Sequence, residues 1–160
     1  MRLKKLHSMI NARFCHQMTL FAAGKRLIVT GGNQQGTDVE MNDCEVYDMG
    51  EDSWSSIAPM NEKRAWHAAL EVKNGVIYVF CGSGEHGKPI NSIEYFSNDS
   101  WKTIPIENRI EPRSWPAVVA NKSGADVIIF GGEGDYGYFK NAFYLETSSN
   151  KIIMINKDIR

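Results

Sequence analysis

Three arginines recur along this 160-residue chain at nearly even intervals, Arg13, Arg64 and Arg113, and each opens a short stretch rich in Phe, Trp, Ala and Val. A guanidinium presents a planar fork of paired donors that suits a carboxylate, so several converging on one pocket would make a strong charge-assisted anion site. The same residues, repeated in every unit, also suit a scaffold in which they bond backbone carbonyls or the acids Glu45 and Glu94. Both readings stand on the sequence. His16 and His67 follow their arginines by three residues, where the third copy has Pro116, and that recurrence favours packing over a general acid–base pair. No His-x-x-x-His, Gly-x-Ser-x-Gly, phosphate-binding loop or Cys/His dyad can be placed. Gly31-Gly32-Asn-Gln-Gln-Gly36 is like a dinucleotide loop only superficially, because no βαβ pattern follows it. The chemistry on offer is that of binding, and neither a metal nor a cofactor is expected.

The elements that must position these residues are strands. Leu27–Gly32, Ile77–Gly82 and Val127–Gly132 are apolar runs closed by a glycine turn, and their final glycines stand fifty residues apart both times. A β-rich unit at this period signals a propeller of four-stranded blades. The near-continuous apolarity of the runs fits strands covered on both faces by neighbouring blades. The arginine-led stretches read as the first strand and the glycine-terminated runs as the second. A polar loop follows each run, 33–41, 83–90 and 133–140, and ends at Asn42, Asn91 or Asn141. Cys44–Asp48, Ile93–Phe96 and Ala142–Glu146 suit a third strand. A Gly/Asp/Ser/Asn turn then leads to Trp54 or Trp101 at the start of a fourth, where the indole can cap the space between blades.

This ordered set resembles the kelch-repeat family across nearly the whole chain: paired glycines after strand two, Glu45-Val46-Tyr47-Asp48 in strand three, tryptophan about six residues later, and Ala58-Pro59-Met60 ahead of Arg64. Three departures stand out. Cys81 replaces the first glycine of its pair, no tryptophan lies near residue 150, and Phe143 stands where the other copies carry Glu45 and Glu94. The expected fold is all-β, a kelch-type β-propeller segment of three four-stranded blades, residues 13–62, 63–112 and 113–160. Residues 1–12 are expected to supply the outer strand of a preceding blade, because Leu3–Met9 aligns with Trp54–Met60, and Arg160 falls where a further repeat would begin.

The resemblance implies a ring of six blades, of which this is half, with two apolar blade faces left to cover. A longer polypeptide, a second half-ring in a two-fold dimer, or packing on a different protein would each cover them. In kelch adaptors that bring substrates to ubiquitin ligases, arginines near the mouth of the central channel engage acidic peptide segments, and Arg13, Arg64 and Arg113 match that position. The expected function is a protein–protein interaction module of scaffold or substrate-adaptor type without catalytic activity. No BTB-like or F-box-like segment lies within these residues, so the adaptor role rests on the resemblance. The divergent loops add further candidate partner-binding residues, Gln34, His86, Tyr136, Tyr138 and Phe139, since variable loops on a rigid frame carry specificity. The three loop aromatics either anchor a partner or fold back over the blade edge.

Two alternatives remain, a structural subunit of a large cytoskeletal or ciliary assembly, and a propeller enzyme acting on a sugar such as a sialic acid. Composition bounds the rest. With 42% apolar and 11% aromatic residues the chain is globular, and a net charge of -1 indicates no electrostatic drive toward nucleic acid or membranes. Cys15, Cys44 and Cys81 have no Cys-x-x-Cys spacing and are odd in number, which points to a reducing, cytoplasmic setting. The basic Met1–His7 segment is followed by no apolar core of a secretory signal.

Overall fold

A computed structural model describes residues 5–106 and 110–155. Twelve strands form three successive antiparallel meanders. The first sheet is β1 (Gln17–Phe21), β2 (Arg26–Thr30), β3 (Cys44–Asp48) and β4 (Ser53–Ile57). The second is β5 (Ala68–Val72), β6 (Val76–Phe80), β7 (Ile93–Ser97) and β8 (Ser100–Ile104). The third is β9 (Ala117–Ala120), β10 (Val127–Phe130), β11 (Ala142–Glu146) and β12 (Lys151–Met154). First strands of adjacent sheets lie side by side, as in blades set around an axis.

Alternation along β6 shows why the second strands are apolar throughout. Ile77 and Val79 face the first sheet and join Ile28, Cys44, Val46 and Met60. Tyr78 and Phe80 face the third and join Val127, Ile129, Phe143 and Leu145. A strand whose successive side chains point to opposite faces needs two apolar sets when both faces are covered. The outer faces of the array differ: Met18 and Leu20 of β1, and Val119 of β9, are about half exposed.

Tryptophan opens two of the outer strands. The Trp101 indole donates to the Ala58 carbonyl at 2.9 Å, pinning β8 to the segment that leaves the first sheet, and Trp54 does the same to His7 at 3.0 Å. In β12 the equivalent position is Ile152, opposite Leu145 as Trp54 is opposite Tyr47 and Trp101 opposite Phe96. Ile152 is buried and adds to the core shared by the second and third sheets.

Two expectations need correction. Residues 5–12 form no strand; they run as a strap whose Ile10 and Asn11 amides donate to the Glu45 carboxylate. An outer strand needs a third strand beside it, and none of the described residues offers one. Residues 1–4, Arg160 and the rest of 156–160 lie outside the described residues. The first strands also begin four residues after their arginines. Cys15, Trp66 and Trp115 turn left-handed, with φ of +55°, +49° and +51°, and interrupt any extension from the arginine.

The glycine turn is where one sheet meets the next. The Gly32 amide donates to the Arg64 carbonyl at 2.8 Å, and the Gly82 amide to the Arg113 carbonyl at 2.8 Å. Gly31 and Gly131 share a left-handed φ, +54° and +56°, but a Cβ on Gly31 would stand 2.2 Å from the Arg64 carbonyl oxygen, whereas at Gly131 the nearest atom is 3.3 Å away. The conformational cost of alanine is therefore the same at both and only the neighbouring sheet differs. Gly31→Ala is expected to lower the urea-unfolding free energy by at least about 1 kcal/mol more than Gly131→Ala; equal losses would show that the junction does not set the glycine requirement.

Candidate functional site

The recurrent arginines are structural. Arg13 Nη2 donates to Glu45 Oε1 at 2.5 Å, while Nη1 donates to the carbonyls of Gly31 at 3.0 Å and Asp43 at 2.9 Å. Arg64 repeats the arrangement with Glu94 at 2.7 Å and the Cys81 carbonyl at 2.7 Å. Each glutamate also accepts two backbone amides of the incoming segment, Ile10 and Asn11 for Glu45, Asn61 and Glu62 for Glu94. All four side chains are at most 1% exposed.

In the third unit Phe143 takes the glutamate's place, and the acid is supplied from the linker instead: Arg113 Nη2 donates to Glu111 Oε2 at 2.8 Å. Asn141 Oδ1 and the Gly131 carbonyl accept from Nη1, at 3.0 and 2.8 Å. The guanidinium carbon lies 4.2 Å from the Phe139 ring centroid and 5.0 Å from that of Phe143. Burial pulls this arginine below its usual pKa. The expected acidic-peptide site is thus corrected: Arg13, Arg64 and Arg113 have fully buried side chains whose forks are committed internally, so they offer no donors to a partner.

His67 is equally internal. Its Nε2 lies 2.8 Å from Thr30 Oγ1, and burial, with the nearby Arg64 charge, holds its pKa well below the usual value. His16 is lowered too, by burial and by Arg13. Cys44 and Cys81 are buried free thiols pushed up to about 12, chiefly by burial, while Cys15 is partly exposed. Among the described residues no group of three His, Cys, Asp or Glu side chains is placed to hold a metal ion, and no helix is long and apolar enough to cross a membrane.

The loops after the glycine turns enclose a different site. A cavity of about 600 Å³ opens between loop 33–41 of the first sheet and loop 83–90 of the second. Phe14, Val39 and Trp66 supply apolar wall; Asn33, Asp38, Glu40 and Glu85 supply acceptors; Lys63 and His86 complete the charged lining. Loop 33–41 is held as a small hairpin, with Arg13–Phe14 paired to Asn33–Gln34 and the Gln34 amide donating to the Val39 carbonyl at 3.0 Å. Glu40 ties the two loops together by accepting the Gly87 amide at 3.0 Å. Trp66 is fixed by its own backbone, which donates to the Cys15 carbonyl at 3.0 Å and accepts from the Trp115 amide at 2.8 Å; the Trp66 and Trp115 rings pack at 5.3 Å.

Of the residues singled out in the sequence, His86 lines this cavity and Gln34 lines an adjoining one of about 430 Å³. The aromatic loop splits. Tyr136 and Tyr138 are exposed, at 104% and 84%, on a turn whose Glu133–Gly134 and Gly137–Tyr138 edges pair, and they line neither cavity. Phe139 folds back over Arg113. Sequence reasoning missed Phe14, Asn33, Asp38, Glu40, Lys63 and Trp66. The available signal was positional, since Phe14 and Trp66 stand one and two residues beyond recurrent arginines that had to be anchored.

A family model described as the KLHDC2/KLHL20/DRC7 Kelch-repeats domain matches residues 15–158. The chain is 29% identical over 148 residues to Kelch-like protein 38 of Rattus norvegicus and 28% identical to that of Mus musculus. In both cases 91% of this chain is covered, and it spans only 23% of the relative's length.

Two measurements check this chemistry. In the native state one thiol per chain, that of Cys15, is expected to react with a disulfide reagent at pH 8, and all three after denaturation; fast native labelling of Cys81 would contradict its burial. His67 binds its proton less readily folded than unfolded, so its stabilising effect is present above the unfolded pKa of about 6.5 and is lost as pH falls below it. Between pH 7.5 and 5.5 the protein is expected to lose about 1.4 kcal/mol through this residue, a loss absent from His67→Gln.

Proposed function

The chain belongs to the kelch-repeat family, and on that premise we propose that it is a non-catalytic protein-interaction module, of scaffold or substrate-adaptor type, that takes a partner segment on its loop-bearing face. The observation that carries this is the cavity of about 600 Å³ between loops 33–41 and 83–90. It has the size and the mixed lining of a recognition pocket, apolar walls with a few convergent polar groups. Its walls are rigid because Phe14 and Trp66 adjoin the buried Arg13 and Arg64, and the acceptors are carried by loops that diverge between repeats. Gln34, His86, Tyr136 and Tyr138 widen the contact surface on the same loops. The buried free thiols of Cys44 and Cys81 support a reducing, cytoplasmic setting.

The proposal includes a further blade against the third sheet, from a longer chain or a second copy. Among the described residues, none accepts from the Gly132 amide or donates to the Trp115 carbonyl, although the equivalent Gly82 amide and Trp66 carbonyl are both bonded across a junction. The apolar exposure of Val119 supports the same reading.

Selection of a random dodecapeptide display library on the immobilised chain tests the module. Peptides recovered from it are expected to lose about ten-fold or more in affinity on Trp66→Ala and on Phe14→Ala, with thermal unfolding of both variants cooperative as in the parent. Failure to recover any peptide, or recovery of peptides indifferent to both changes, would reject the cavity as the binding site.

A further inference from the structure

Resting on that reading, we infer that the inter-sheet cavity receives the guanidinium of an arginine side chain in the partner's segment. Its acceptors outnumber its donors. Three carboxylates line it, Asp38, Glu40 and Glu85, against a single lysine, and Lys63 Nζ is already placed 3.5 Å from Glu85. Among the described residues, Asp38 and Glu40 have no ion-pair partner. Glu40 is 7% exposed, and its hydrogen bond from the Gly87 amide is to a neutral group. A carboxylate at that depth ordinarily has a cation beside it.

A second, independent observation points the same way. Asn33 also lines the cavity; it is 3% exposed, and its Oδ1 has no hydrogen-bond partner among the described residues. A buried acceptor left unmatched is costly, so the site favours an occupant that brings donors. The aromatic walls then discriminate between cations. A planar guanidinium can lie on Trp66 or Phe14 while its edge bonds Glu40 and Asn33, whereas an ammonium is a compact, strongly hydrated charge that stacks poorly. An acidic segment would meet unopposed negative charge here.

The composition of peptides recovered by display provides the test. Arginine is expected at one fixed position of the recovered set. Replacing it by citrulline, which keeps the shape and removes the charge, should weaken binding about ten-fold or more, and lysine should restore only part of that loss. Glu40→Gln retains an oxygen for the Gly87 amide, and it is expected to weaken the arginine peptide about ten-fold while leaving the citrulline peptide nearly unchanged. Should Glu40→Gln disturb unfolding, Asp38→Asn on the exposed loop is read in the same cycle. Cavity-dependent peptides without arginine, or equal losses for both peptides in the variant, would overturn the inference while leaving the interaction module standing. Absence of cavity-dependent peptides would overturn both.

Discussion

A buried arginine–glutamate pair holds each of the first two units together, and most of the surrounding geometry follows from satisfying it. Two charges removed from water are tolerated only when the pairing is close and the remaining donors and acceptors are met. Arg64 meets this with Glu94 on one side and the Cys81 carbonyl on the other, which fixes the glycine turn against the third strand. Glu94 uses its spare lone pairs on the Asn61 and Glu62 amides, which fixes the segment arriving from the first sheet. One ion pair therefore sets both the interior of a unit and its angle to the previous one. Removing one partner would strand a buried charge, a change that typically costs about 3–5 kcal/mol.

The third unit keeps the arginine and redistributes its partners. Phe143 at the strand-three position is fully buried and enlarges the apolar core between the second and third sheets. The acid reappears at Glu111, whose side chain is 48% exposed, so its pairing with Arg113 is more solvated than the other two. Asn141 turns inward to Arg113, whereas Asn42 and Asn91 donate outward to the Met60 and Ile110 carbonyls. Apolar burial and cation–π contact with Phe139 and Phe143 thus replace part of the polar network.

Much of the fold was legible because it is periodic: the apolar runs, the turn glycines and the aromatic outer strands each repeat at one spacing, and each has a local physical cause. The strand starts were not legible, because a left-handed Trp66 or Trp115 is imposed by a hydrogen bond from the neighbouring sheet rather than by its own propensity. The 5–12 strap was misread for a related reason, since similarity to Trp54–Met60 says nothing of whether a pairing strand lies alongside. The arginines carried two readings in the sequence because an exposed fork and a buried one require the same residue type; only the position of Glu45 and Glu94 across the sheet separates them. The cavity was invisible because its walls come from residues 14, 33–40, 63–66 and 85–87, four segments joined only by the stacking of two sheets.

The internal use of arginine also decides the character of the loop face. Each recurrent cation is withdrawn into the frame, whereas the acids of the loops, Asp38, Glu40 and Glu85, remain around the cavity with Lys63 as their nearest opposing charge. Frame and lining are nonetheless adjacent in sequence: Phe14 directly follows Arg13, and Arg64 lies between Lys63 and Ala65, one step from Trp66. The buried pairs thereby hold the aromatic walls still, while the acceptors stand on loops whose substitution leaves those pairs untouched. Stability and recognition are set by different residues, so loops can diverge between repeats, and the face change its charge preference, without disturbing the ion pairs that close each unit.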